Sequence, residues 1–168
     1  MAPPLGHRIR EAGDPHRYGR PVVTTPAPDV ADEATRRAAE DTAARVYAGY
    51  FALQAVAGIG FWVAVATVPG IRKVFEMSTA QHAVTDSYLF ADIAIGIIGS
   101  AVAAAGIASR RRWGSALALF VAGGMVYATI YLVGWVAFTG KGAGLLGLMV
   151  VPSTLSAFVA VSAWRLDR

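Results

Sequence analysis

Four long apolar runs occupy most of the chain after residue 45, and short polar segments separate them. Each run has about the twenty residues that an α-helix needs to cross a hydrocarbon core about 30 Å thick. The runs lack the alternation of apolar and polar positions that is typical of barrel strands, so the pattern predicts helices. The predicted membrane-spanning helices cover residues 46–68, 88–108, 113–138 and 143–164.

The segment before the first apolar run has two parts. Residues 1–28 hold six of the eight prolines and no apolar run, which predicts a disordered tail without a cleavable signal peptide. Residues 29–45 are rich in alanine and charge, and predict a solvated helix that is continuous with the first span. This helix contains three acid-then-base pairs at a spacing of four residues, which stabilise helices: Asp32–Arg36, Glu33–Arg37 and Asp41–Arg45.

Charge is scarce and unevenly distributed. Twelve of the 15 Lys and Arg residues lie in the two terminal segments or in the turn at residues 110–112, and only Arg72, Lys73 and Lys141 lie in the other two loops. The positive-inside rule therefore predicts a multi-pass protein of the cell (plasma) membrane with both termini in the cytoplasm. The basic excess is thus a topology signal, and no nucleic-acid partner is expected. The expected fold class is an all-α membrane protein, a four-helix transmembrane bundle with a cytoplasmic N-terminal helix.

Asp92 lies about one helical turn inside the second predicted span. An ionisable group within a span is a candidate functional site, here for an ion or a proton. The alternative is a structural acid near a helix N-terminus, where the helix dipole favours a carboxylate. A second structural alternative is an ion pair with Arg72, Lys73 or Lys141, and the sequence leaves these interpretations open.

Two further polar residues, His82 and Asp86, lie four residues apart in the loop before the second span. A histidine with carboxylates can bind a divalent metal. The chain has no second histidine near a span, no HExxH motif and no cysteine, so neither a metal nor another cofactor is expected. The same loop, residues 69–87, could hold a short interfacial helix with Val74, Phe75 and Met77 facing lipid or the bundle.

An aromatic stripe runs along the third predicted helix at steps of three and four residues. It is a candidate ligand face for a lipid tail or a quinone, and the alternative is ordinary packing or lipid contact. The hydroxyl of Tyr127 would need a partner, for which Thr129 and a polar residue of the fourth helix are the candidates. The ligand-face residues are Tyr127, Tyr131 and Trp135, and Phe120, Gly124 and Phe138 share the stripe.

Small residues and one proline suggest how the helices pack. Small residues at helical spacing allow helix backbones to approach closely in lipid, either within the chain or between subunits. Pro152 should kink the fourth helix, as a packing feature or as a hinge, with Ser153, Thr154 and Ser156 available to the freed carbonyl. Gln54 is expected to hydrogen-bond between helices. The candidate packing residues are Gly96, Gly99, Ala103, Gly123 and Gly124.

Known families of four-helix membrane proteins differ from this chain in their essential residues. Small multidrug exporters need an acid in the first span, and disulfide-forming and vitamin-K-epoxide-reductase-like proteins need cysteines. The layout of an outer loop, an early acid (Asp92) and an arginine turn resembles that of DoxX-type proteins in topology, without a specific shared motif.

Three functions are consistent with the sequence, which contains no catalytic set. The first is a non-enzymatic accessory or structural subunit that binds a membrane-protein partner or forms a homo-oligomer in the lipid bilayer. The second is a small transporter or channel that uses Asp92 as its ion site and Pro152 as its hinge. The third is a lipid- or quinone-binding membrane protein or enzyme. The lack of a reactive set favours the first.

Overall fold

Every regular element in the described part of the chain, residues 30–75 and 82–168 of a computed structural model, is helical. All of residues 1–29 and the side chains of residues 74–85 lie outside the described residues. The predictions that concern the disordered tail, Asp29 and Met77 fall in these ranges. In chain order the elements are α1 (Val30–Thr67), α2 (Pro69–Phe75), α3 (His82–Ala91), a π-helical segment (Asp92–Gly99), α4 (Ser100–Ala108), α5 (Arg112–Thr139) and α6 (Ala143–Leu166).

Four of the helical stretches are long and apolar enough to cross a membrane. They are α1, the continuous stretch Asp86–Ala108, α5 and α6, and the second of these consists of the later part of α3, the π-helical segment and α4. The prediction of an all-α chain with four membrane-length helices is therefore confirmed for the described residues. The charged segment and the first apolar run both lie in α1, which extends over 38 residues without a break.

Helix ends follow local sequence. α1 ends before Pro69, since a residue that precedes proline is disfavoured in the α region. α5 ends at Thr139, and the next residue, Gly140, has a φ of 68°, in the left-handed region that glycine adopts without strain. The end of the predicted loop is helical: α3 begins at His82, before residue 88, where the second membrane span was predicted to begin.

Small side chains build much of the core between the helices. Ala103, Ala118 and Ala160 are fully buried, and Phe51 fills the centre from α1. A close backbone approach joins Gly106 of α4 to Gly114 of α5, where a Cβ added to Gly106 would lie 2.6 Å from the Cα of Gly114. The two helices flanking the arginine turn therefore pack backbone to backbone, as small residues permit in lipid.

Polar contacts connect three segments at one end of the bundle. Arg110, in the turn between α4 and α5, hydrogen-bonds to Asp41 of α1. Ser115 of α5 donates a hydrogen bond to Asp167, next to the C-terminus. The arginine turn, the charged part of α1 and the C-terminus therefore lie at the same end of the molecule.

The predicted ion pairs along α1 form only in part. Arg37 pairs with Glu33 at 3.2 Å, as the spacing predicts. Arg36 instead pairs with Glu40 at 3.5 Å, and Asp41 pairs with Arg110 from the neighbouring turn. The last difference arises because tertiary packing brings the arginine turn against α1, which a local pattern does not encode.

Candidate functional site

A cleft of about 300 Å³ lies between α1 and α6 and reaches the π-helical segment. Exposed apolar side chains of the two helices, among them Leu53, Val151 and Leu155, form its rim. Asp92 and Gly96 of the π-helical segment line its inner wall. Because the rim belongs to membrane-length helices, the cleft faces the lipid that would surround them.

Asp92 is the one acidic or basic residue among those that line the cleft. Its Oδ2 accepts a hydrogen bond of 3.0 Å from the indole Nε1 of Trp62 on α1. Arg72 pairs with Asp86 at 2.9 Å, and no described ion pair joins Asp92 to Lys73 or Lys141. The alternative of an ion pair with one of these cations is therefore wrong: the partner of Asp92 is a neutral donor on another helix.

A hydrogen-bonded network lies deeper in the bundle. Gln54 is thirteen residues before the end of α1, about 20 Å along the helix axis. Its amide nitrogen donates to Ser100 Oγ at 3.0 Å, and its amide oxygen accepts from Ser156 Oγ at 2.6 Å. The Tyr50 hydroxyl lies 3.0 Å from Ser156 Oγ. The network joins α1, α4 and α6, in agreement with the expectation that Gln54 hydrogen-bonds between helices.

The π-helical segment was not predicted, since the sequence indicated a regular α-helix over residues 88–108. A π-helical turn contains an extra residue, and such turns often occur at functional sites. The segment packs closely against glycines of neighbouring helices: a Cβ at Gly58 would lie 3.0 Å from Ile97, and one at Gly124 would lie 2.9 Å from Ile95. Three residues of the segment, Asp92, Gly96 and Ile97, line the cleft.

Pro152 lies inside α6 and lines the cleft. Its carbonyl oxygen accepts a hydrogen bond of 3.0 Å from the Tyr50 hydroxyl. The neighbouring hydroxyls bond elsewhere: Ser153 donates to the carbonyl of Met125 at 3.1 Å, and Thr154 donates to the carbonyl of Val150 at 2.9 Å. The carbonyl freed by Pro152 is that of Leu148, four residues earlier. The interpretation that Ser153, Thr154 and Ser156 satisfy it is wrong, because each of these hydroxyls bonds to another group.

The aromatic stripe of α5 does not form one surface. Tyr127 is 73% exposed, whereas Trp135 is partly buried and stacks on Tyr131 with ring centroids 6.5 Å apart. Tyr88 contacts Tyr131 at 6.1 Å, and among the described residues the Trp135 indole nitrogen has no hydrogen-bond partner. Thr129, the predicted partner of Tyr127, bonds instead to Ser153 at 2.5 Å. None of the three proposed ligand-face residues lines the cleft.

The other candidate residues occupy separate positions. Asp86 is half-exposed and paired with Arg72, and the side chain of His82 lies outside the described residues. No group of three or more metal-ligating side chains occurs in the described ranges. Of the packing residues, Ala103 is buried, and a Cβ at Gly99 would lie 2.9 Å from Val121.

The remaining packing candidates have more space. A Cβ at Gly96 would lie 4.0 Å from the Cβ of Asp92, an ordinary contact within the same helix. A Cβ at Gly123 would meet no atom within 4 Å, because Gly123 lies on an exposed face of α5. Gly123 therefore makes no close helix approach within the described chain.

Comparison with protein-family models finds no match for this chain. Comparisons with curated proteins and with solved structures also find no match. No family match accompanies the topological resemblance to DoxX-type proteins.

Sequence reasoning missed two residues of the site, Tyr50 and Trp62. A signal for both exists in α1, where Tyr50, Gln54, Gly58 and Trp62 follow one another at steps of four residues. Residues at this spacing share one helical face. This spacing alone does not identify Tyr50 and Trp62 as site residues, because tyrosine and tryptophan are also ordinary components of membrane spans.

Proposed function

We propose that this chain is a multi-pass protein of the cell membrane that binds an amphipathic molecule from the bilayer in the cleft between α1 and α6. The observation that carries the proposal is a mostly apolar cleft at membrane depth whose wall includes a few fixed polar groups. Ligand sites are concave, mostly apolar and supplied with a few fixed polar groups. Here the polar groups are Asp92, Gln54 and Tyr50.

The proposed orientation has both termini in the cytoplasm. The basic arginine turn, the charged part of α1 and the C-terminus share one end of the bundle, which would be the cytoplasmic end under the positive-inside rule. Asp92 would then lie towards the outer side, about 9 Å along the helix from Asp86.

Binding without chemical conversion is the proposed role. The carboxylate of Asp92 contacts an indole, and no described hydrogen bond links it to a hydroxyl or an imidazole that could act as a nucleophile. The close contacts at Gly99, Gly106 and Gly124 lie within the chain and give no separate support for a partner subunit. A role as an accessory or structural subunit therefore rests on the sequence pattern alone.

Transport is a second candidate function, favoured by one observation. The cleft is lined both by Asp92 near the proposed outer side and by Tyr50 and Gln54, which lie deeper. Polar groups at two depths of a membrane protein are typical of a pathway for an ion or a substrate. Flux measured in liposomes would separate the two functions, because a binding protein retains its ligand without moving it across the bilayer.

A pair of alanine variants tests the proposed binding. Ala57 lines the cleft, whereas Ala52 is exposed on α1 and does not line it. Ala57→Phe should fill the cleft, and Ala52→Phe is the matched control. Native mass spectrometry of protein extracted from membranes should show a retained small molecule in the unmodified chain and in the control but not in Ala57→Phe. Equal retention in both variants would count against the cleft.

A further inference from the structure

The sign of the charge in the cleft limits the ligands it accepts. Asp92 lines the cleft, and every other residue that lines it is uncharged. An unpaired carboxylate in surroundings of low dielectric is costly, and it attracts a cation or a proton donor. A ligand with a phosphate or carboxylate head group would instead meet repulsion at Asp92.

The hydrogen bonds within the cleft also favour a ligand that donates a hydrogen bond. The Trp62 indole donates to Oδ2 of Asp92, the Tyr50 hydroxyl donates to the Pro152 carbonyl, and the Gln54 amide donates to Ser100. No described side chain donates to the other carboxylate oxygen, Oδ1. A carboxylate oxygen only accepts, so the group that pairs with it must be a donor.

Aromatic rings share the cleft with this carboxylate. Tyr50, Phe61 and Trp62 all line it, and Phe61 meets Trp62 edge to face with ring centroids 5.5 Å apart. The faces of aromatic rings attract cations, tryptophan most strongly. Gly96 adds no side chain beside Asp92, so a head group has room to approach.

We infer that the ligand of this cleft is an amphipathic cation, a lipophilic ammonium whose N–H group pairs with Oδ1 of Asp92. Its apolar chain would lie along the side chains of α1 and α6 that form the rim, among them Leu53 and Leu155. The inference rests on the proposed binding function and adds to it the charge and the donor character of the head group.

Three probes that share one apolar tail test the inference: dodecylamine, which is protonated at neutral pH, dodecanol and dodecanoate. The purified full chain in zwitterionic nanodiscs is titrated with each probe, and the bound fraction is measured by native mass spectrometry. Dodecylammonium should bind at least about tenfold more tightly than dodecanol, because the ammonium adds a Coulomb attraction to the carboxylate that a neutral hydroxyl lacks. Dodecanoate should bind least.

Substitutions at two acidic residues provide the matched controls. Asp92→Asn keeps the shape and removes the charge, and should lower dodecylammonium affinity about tenfold while lowering dodecanol affinity much less. Asp92→Glu restores the carboxylate and should recover the preference, which guards against a folding defect in Asp92→Asn. Asp86→Asn removes an acid outside the cleft that already pairs with Arg72, and should leave the preference intact.

The outcomes separate this inference from the function on which it rests. Equal binding of dodecylammonium and dodecanol, both abolished in Ala57→Phe, would overturn the cationic ligand and retain the binding cleft. An equal loss of preference in Asp92→Asn and Asp86→Asn would assign the effect to general surface charge and also overturn it. Binding of all three probes that Ala57→Phe leaves unaltered would overturn the cleft and the cationic ligand together.

Discussion

The indole of Trp62 on α1 donates a 3.0 Å hydrogen bond to the carboxylate of Asp92, at the first residue of the π-helical segment. This contact fixes the position of the one carboxylate in the cleft, and it joins two helices across a mostly apolar interface. The opposite case occurs at Trp135, whose indole nitrogen is buried without a partner among the described residues. Trp62 and Trp135 can therefore be compared directly, since the indole N–H of one is hydrogen-bonded and that of the other is not.

Replacing each tryptophan with phenylalanine should give different losses of stability. Trp62→Phe leaves the Asp92 carboxylate without its donor and should lower the free energy of unfolding by about 1–3 kcal/mol beyond any packing loss. Trp135→Phe removes an indole N–H that has no partner and should cost less. Unfolding in mixed micelles of increasing dodecyl sulfate content measures both changes. Equal losses would show that the Trp62–Asp92 contact contributes nothing specific.

The contact between Gly106 and Gly114 predicts strong sensitivity to a single methyl group. A Cβ at Gly114 would lie 2.4 Å from the carbonyl carbon of Gly106, and backbone atoms cannot move aside as a side chain can. Gly114→Ala should therefore destabilise the bundle by about 1–3 kcal/mol or more, the usual cost of overpacking.

The control for this substitution is Gly123→Ala on the same helix. No atom lies within 4 Å of the added methyl group at Gly123, and alanine favours a helix over glycine by about 1 kcal/mol. Thermal denaturation followed by circular dichroism should therefore show a lower midpoint for Gly114→Ala and an unchanged or higher midpoint for Gly123→Ala. A loss of stability at Gly123 instead would indicate that this exposed face is covered by another molecule.

How far the sequence predicts this structure depends on which property is considered. The length of an apolar run is fixed by the thickness of the hydrocarbon core, so the run at residues 143–164 indicates the helix Ala143–Leu166 closely. Which helical face meets which neighbour depends on rotation about the helix axis. The π-helical segment changes that rotation by an extra residue per turn, so the partner of Asp92 could not be read from a regular α-helical spacing.

The aromatic stripe of α5 illustrates the same limit. Tyr127 and Trp135 lie on one face by their spacing, yet Tyr127 is largely exposed and the Trp135 nitrogen is buried. The difference arises because Trp135 packs against the buried pair Leu132 and Leu145, whereas Tyr127 is not among the residues that pack against this cluster. Spacing defines a face, whereas its environment depends on neighbours that are distant in sequence.

The network around Gln54 should contribute modestly to stability. Gln54→Leu removes the acceptor of Ser156 and the donor to Ser100, and both serines are buried. Hydrogen bonds between membrane helices contribute about 0.6 kcal/mol on average and at most about 1.7 kcal/mol, so the two lost bonds should cost about 1–3 kcal/mol.

Thr154→Val is the control for this prediction, since the Thr154 hydroxyl bonds only to a carbonyl of its own helix. Dodecyl sulfate titration should show a clear shift for Gln54→Leu and a small one for Thr154→Val. A double-mutant cycle with Ser156→Ala should give a coupling energy different from zero. Strict additivity would contradict a direct contribution from the Gln54–Ser156 hydrogen bond.

The proposed orientation can be tested chemically because the chain contains no cysteine. Ser109 lies beside the arginine turn and Lys141 in the loop between α5 and α6, and both are exposed at opposite ends of α5. Single variants Ser109→Cys and Lys141→Cys therefore report on the two sides of the membrane. A membrane-impermeant maleimide added to intact cells should label Lys141→Cys and should label Ser109→Cys only after permeabilisation.

This expectation follows from the distribution of basic residues, which are held out of the translocated loops during insertion. Arg168→Cys at the C-terminus should behave like Ser109→Cys, because Ser115 and Asp167 link the C-terminus to the arginine-turn end of the bundle. Labelling of Ser109→Cys in intact cells, with Lys141→Cys protected, would reverse the orientation and move Asp92 towards the cytoplasmic side. The cleft would then receive its ligand from the inner leaflet, so the labelling pattern also determines which leaflet supplies it.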